Sequence, residues 1–165
     1  MKALVTGGGG FLGGAIVRAL LKRGDTVRAI QRGHYPELVA LGVDAIQGDL
    51  CKADDIDAAA SGCDIVYHVA ALAGVWGDYD KYYQANVVAT KNVIDACKKH
   101  HINYLVYTST PSVVFDGTSE EGIDESTPYA ETFFNAYQET KAEAEQLVLS
   151  SNSAKLKTVA LRPHL

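Results

Sequence analysis

At 165 residues, with 47% hydrophobic and 21% charged side chains, the chain has the balance of one ordinary globular domain with enough apolar material for a sizeable core. Fifteen Lys and Arg against twenty Asp and Glu give a formal charge of -5, without a basic stripe, which argues against nucleic acid as a partner. The opening MKALVTGGGG is too short in apolar residues for a secretory signal and no run is long enough to span a membrane, so a cytoplasmic location is the expectation.

Taken in chain order, apolar β-favouring runs alternate with segments of helical period, the pattern of βαβ units wound into a parallel sheet. Strands are predicted at Lys2–Thr6, Thr26–Gln31, Asp44–Gln47, Asp64–His68, Tyr104–Thr108 and Lys157–Arg162, most of them continuous enough to be buried on both faces. Helices are predicted at Phe11–Arg23, Pro36–Leu41, Lys52–Ala60, Tyr79–His100 and Tyr137–Ser150, with Gly24 as a C-cap of the first. The stretch Phe115–Pro128, rich in Gly, Ser, Asp and Glu, reads as an exposed loop bordering a site. The fold class is therefore α/β, a Rossmann doubly wound parallel sheet of about six strands with helices on both faces. The chain stops directly after the sixth strand, so the sequence reads as one nucleotide-binding domain, 1–165, cut before a second domain.

The strand-to-helix junction Thr6-Gly7-Gly8-Gly9-Gly10-Phe11-Leu12-Gly13 is the arrangement that lets backbone N–H groups and a helix N-terminus hold a pyrophosphate. Gly7 permits the tight turn, Gly10 lets backbone approach the phosphates, and Gly13 lets the helix pack closely on the strand. After the second strand comes Gln31-Arg32, where an NAD-preferring domain carries an acidic residue for the ribose 2′-OH. An Arg there suits a 2′-phosphate, so NADP(H) is favoured over NAD(H), the alternative for Arg32 being a solvated surface charge. Asp49 sits where a carboxylate can accept from an adenine amino group, or simply cap a loop.

Tyr137 and Lys141 stand four residues apart on a helix, which places phenol and ammonium on one face about a turn apart. A free phenol titrates near 10, so a nearby cation is what makes it useful as a general acid or base. Thr110, just past the fifth strand, is the candidate hydroxyl to hold a substrate oxygen, with Ser109 and Ser112 as rivals. His68 reads as a structural histidine and Asn86 as a tie between backbone segments. His100 and His101, with Lys98 and Lys99, complement a helix C-terminus. Trp76 with Tyr79, Tyr82 and Tyr83 could be core, substrate rim or dimer surface. Cys51, Cys63 and Cys97 are too widely spaced for a zinc motif and read as reduced thiols, so no metal is expected.

With TGxxGFxG at Thr6–Gly13, HxAA at His68–Ala71, NxxxT at Asn86 and Thr90, and YxxxK at Tyr137 and Lys141, the whole chain resembles the extended short-chain dehydrogenase/reductase family of the NAD-dependent epimerase/dehydratase superfamily. The segments Tyr107–Phe115, Asp124–Tyr129 and Leu161–His164 are similar to its 3β-hydroxysteroid dehydrogenase group, sterol-4α-carboxylate 3-dehydrogenases and 2-alkyl-3-oxoalkanoate reductases being the nearest types. The resemblance implies catalytic roles for Thr110, Tyr137 and Lys141. It also implies a cofactor site built from Gly7, Gly10, Phe11, Leu12, Gly13, Arg32, Asp49, Leu50, Ala70, Ala71, Thr108, Tyr137, Lys141 and Pro163. It further implies hydride transfer between a nicotinamide and a secondary alcohol or ketone on a bulky apolar substrate, a homodimer, and a C-terminal substrate domain absent here. Two other readings compete: a sugar-nucleotide epimerase or dehydratase, and a noncatalytic NADP(H)-binding sensor module or inactive fragment. YxxxK speaks against the second.

Overall fold

A computed structural model describes residues 1–118 and 121–164. Six parallel strands form one sheet in the order β3-β2-β1-β4-β5-β6, with β1 at Lys2–Thr6, β2 at Thr26–Gln31, β3 at Asp44–Gln47, β4 at Ile65–His68, β5 at Tyr104–Thr108 and β6 at Lys157–Leu161. Chain order reverses between β1 and β4, which leaves a crevice beyond the carboxyl ends of these two strands. The register aligns Thr6 with Ile30 on one side and with His68 on the other, so the ends of β1, β2 and β4 open onto the same edge.

Because successive side chains of a strand face opposite ways, β1 feeds two cores at once. Ala3 and Val5 pack with Val17 and Leu20 of α1 (Phe11–Arg23) and Leu38 of α2 (Pro36–Ala40). Leu4 packs on the other face with Ile56 and Ala59 of α3 (Ala53–Ala60). Val93 and Cys97 of α5 (Ala89–Lys99) and Ala144 and Val148 of α6 (Ala136–Ser150) complete that second layer. Gly24 adopts φ +90° after α1 and its N–H returns to the Leu20 and Leu21 carbonyls, the cap its position suggested.

One predicted element is divided. The single helix over Tyr79–His100 is a short α4 (Tyr79–Tyr82), a π-helical turn at Tyr83–Val88, and then α5. The apolar spacing of this stretch carries no mark of the wider turn. The edge strands β3 and β6 are not buried on both faces; Val159 and Leu161 of β6 are exposed because no strand or helix among the described residues covers that side. A 3-10 turn at Pro111–Val114, capped by Thr110, also precedes the exposed loop. Of the aromatic group, Tyr82 is core, with its hydroxyl on the Trp76 carbonyl, whereas Trp76 itself is exposed. No helix among the described residues is long and apolar enough to cross a membrane.

Candidate cofactor cleft and catalytic helix

A cavity of about 870 Å³ opens at the crevice beyond β1 and β4. Its wall contains Gly7, Gly10, Phe11, Leu12 and Gly13 of the glycine loop, Arg32 after β2, Asp49 and Leu50 after β3, and Ala70 and Ala71 after β4. Gly7 holds φ +70° while its N–H bonds the Ile30 carbonyl, and the Gly10 N–H closes the turn on the Gly7 carbonyl. A Cβ at Gly13 would press into that same Gly7 carbonyl, so the close approach of α1 to the loop requires glycine there. Gly10 caps α1 without a side chain, which leaves the first-turn amides free of an internal acceptor. The cleft thus fits a nucleotide diphosphate: an uncapped helix N-terminus and a loop with no Cβ in the way.

Sequence reasoning missed part of this wall. The Tyr35 ring lies so close to Gly9 that a Cβ there would approach it to 2.5 Å, and it packs against Gly33 as well. Gln31 donates through Nε2 to the Ile46 carbonyl, and its Oε1 is buried without a partner among the described residues. Arg32 is exposed, and the Asp49 carboxylate accepts the Cys51 N–H. Cys51 also lines the cavity, its thiol raised by burial and by the Asp49 charge.

The remaining candidates gather at the ends of β5 and β6, outside the cavity wall. Tyr137 and Lys141 lie in the first turns of α6, whose N-cap Asn135 accepts the Gln138 N–H. Lys141 is 2% exposed; Nζ donates to the Thr108 carbonyl at 2.7 Å and sits 4.1 Å from the centre of the Tyr107 ring. Burial pushes the Lys141 ammonium down to about 7, with the Glu145 carboxylate opposing the shift. Thr110 Oγ1 donates to Ser112 Oγ at 3.1 Å and accepts the Ser112 N–H. Pro163 is exposed beyond β6. Among the described residues no group of three His, Cys, Asp or Glu side chains could hold a metal ion.

A buried hydrogen-bonded chain runs from the glycine loop to α6. Thr90 gives its hydroxyl proton to the Asn86 carbonyl at 2.6 Å, so its oxygen accepts from His68 Nε2–H at 2.9 Å. Thr6 Oγ1 accepts the Val69 and Ala70 N–H groups and gives its own proton to His68 Nδ1. His68 is therefore a neutral Nε2–H imidazole, and Asn86 extends the chain to Thr140 and to both backbone polar groups of Leu72. Burial, with Lys141 adding to it, pushes His68 down to about 3. An unfolded His takes its proton near 6.5 and the folded one does not, so stability is lost as pH falls from 6.5 toward 3. Between pH 7.5 and 5 this linkage should remove about 2 kcal/mol. Urea unfolding at the two pH values should show the loss, and His68→Asn should remove it; an equal pH slope in the variant would refute the assignment.

The family model described as 3-beta hydroxysteroid dehydrogenase/isomerase matches residues 4–165. The chain is 55% identical to a 2-alkyl-3-oxoalkanoate reductase of Shewanella oneidensis, over 99% of this chain and 44% of the relative. It is 36% identical to a mouse (Mus musculus) sterol-4-alpha-carboxylate 3-dehydrogenase, decarboxylating, over 99% of this chain and 45% of the relative. Among solved structures, MoeE5 in complex with UDP-glucose and NAD superposes with a TM-score of 0.84 at 30% identity, covering 98% of this chain and 54% of that one. The chain thus spans about half the length of the relatives it matches.

Proposed function

The chain belongs to the 3-beta hydroxysteroid dehydrogenase/isomerase family, and from that membership we propose that it is the nicotinamide-binding part of an NAD(P)-dependent oxidoreductase acting on a secondary alcohol or ketone. One observation carries the reading: the glycine-loop cleft and the start of α6, with Lys141 fixed on Thr108, share the carboxyl edge of a single sheet. Bound in that cleft, a nicotinamide dinucleotide would supply or accept hydride. The chain's own residues supply the rest. Gly7 and Gly10 would let a diphosphate approach the amides of Phe11, Leu12 and Gly13, and Asp49 and Leu50 would border the adenine. Ala70, Ala71, Thr108 and Pro163 flank the path toward the reactive end. Tyr137 exchanges the alcohol proton, Lys141 favours its phenolate, and Thr110 orients the substrate oxygen.

The names of the relatives narrow the substrate. A 2-alkyl-3-oxoalkanoate and a sterol-4-carboxylate acted on at position 3 share an oxygenated carbon, a carboxylate two carbons away and a bulky hydrocarbon body. We assign this chain the same class, a branched 3-oxo or 3-hydroxy acid. Arg32 at the cleft wall favours NADP(H) over NAD(H), its guanidinium matching a 2′-phosphate. The likeness to MoeE5 keeps a sugar-nucleotide substrate as the competing reading.

The full-length protein, supplied with NADPH or NADH, should reduce a long-chain 2-alkyl-3-oxo acid and leave UDP-glucose unchanged. Conversion of UDP-glucose with none of the oxo acid would overturn the substrate class. Arg32→Ala should weaken NADPH binding about tenfold and leave NADH within about twofold, as expected for loss of one charge-assisted contact. An unchanged preference in a fluorescence titration would assign the 2′-phosphate role elsewhere.

A further inference from the structure

Gln138, the residue after Tyr137, is 2% exposed although it lies in the first turn of a surface helix. A buried primary amide is costly unless both N–H donors and its oxygen are paired. All three are paired here, and none of the partners belongs to α6. Nε2 donates to the Ser112 carbonyl at 2.9 Å and to the Phe115 carbonyl at 2.6 Å, while Oε1 accepts the Phe134 N–H at 2.8 Å. Those two carbonyls belong to the 3-10 turn that starts from Thr110 and to its C-cap. One side chain therefore fastens the hydroxyl segment, the approach to α6, and α6 itself.

Apolar packing of Val113, Val114 and Ala142 also joins the turn to the helix, but such packing is non-directional and does not fix their relative register. The Gln138 amide does, because two carbonyls and one N–H meet a planar group at set positions.

We propose that Gln138 is a positioning residue that holds the Thr110–Ser112 hydroxyl pair in register with Tyr137, so that one substrate oxygen can meet a hydroxyl and the phenol together. This rests on the catalytic reading of Thr110 and Tyr137 given above. A misplacement of about 1 Å in such a set costs on the order of 100-fold in rate.

Two variants of the full-length protein test it. Gln138→Met keeps the volume and removes all three bonds; kcat should fall roughly 10- to 100-fold, with KM and NADPH affinity within about threefold. In Gln138→Glu an ionised carboxylate would face two carbonyl oxygens, whereas the neutral acid can donate to one of them. Its kcat relative to the parent should therefore rise as pH is lowered, since burial among acceptors raises the carboxyl above its free value of about 4.3. The facing turn and the Phe134 segment contribute backbone polar groups, with Asp116 the next charged residue along the turn. Tyr137, Glu139 and Lys141 are its ionisable neighbours on the same helix.

Parental kcat in Gln138→Met, with Tyr137→Phe inactive, would overturn the positioning role and leave the catalytic reading standing. Full activity in Tyr137→Phe would remove the catalytic reading itself. Should Gln138→Met fail to fold, the Gln138→Glu ratio decides: a rise toward low pH supports the role, and a flat ratio rejects it.

Discussion

Tyr137→Phe should lower kcat by about 10²- to 10⁴-fold while leaving NADPH affinity within about threefold. The phenol is part-buried at the first turn of α6 and Phe keeps its ring, so the helix and its cap on Asn135 stay in place. What disappears is the hydroxyl proposed to carry the alcohol proton. Its neighbour one turn on, Lys141, is anchored by the Thr108 carbonyl, which fixes where the positive charge stands. Desolvation works against that charge and Glu145 works for it, so the pair depends on a carboxylate below as well as on its own spacing. Steady-state kinetics with a 2-alkyl-3-oxo acid, beside a cofactor titration of the same variant, separates loss of chemistry from loss of binding. Turnover near the parental rate would exclude the phenol as proton carrier.

How much of this was legible depends on how local each signal is. β1 and β5 are near-continuous apolar runs, β2 is apolar apart from Arg28 and its two ends, and the bounds of all three in the structure are those the residues suggest. The glycine loop was equally plain, because a tight turn, an uncapped helix and a close strand contact each leave a glycine in the sequence. The π-helical turn at Tyr83–Val88 left no such trace. It places Asn86 to bond both Leu72 polar groups, and that need is set by a loop 14 residues away. Tyr35 over Gly9, and Gln138 with partners 23 and 26 residues back, are long-range pairings of the same kind. Glu145 was closer to view: it continues the four-residue spacing of Tyr137 and Lys141 down one helix face. Its partner Arg162 stands at the end of β6, and proximity of that sort follows from the assembled sheet and not from helical period.

Glu145→Ala should destabilise the domain by about 3 kcal/mol, the low end for breaking a buried ion pair because Arg162 keeps some exposure. The carboxylate is 1% exposed and takes bonds from Arg162 Nη2 at 2.6 Å and Tyr129 Oη at 2.9 Å. Burial alone would raise its pKa; the hydrogen bonds, those of Arg162 foremost, outweigh burial and hold it below the ordinary carboxylate range. Truncation leaves a cation and a phenol facing an empty polar site. The double variant Glu145→Leu with Arg162→Met should regain most of the lost stability, since an apolar pair of similar volume needs no desolvation. It should not regain activity, because Lys141 then lacks the carboxylate that opposes its deprotonation. Urea midpoints measured beside kcat distinguish the two contributions. Recovery of both together would mean that Glu145 serves only to brace α6 against β6, with no electrostatic part in the chemistry.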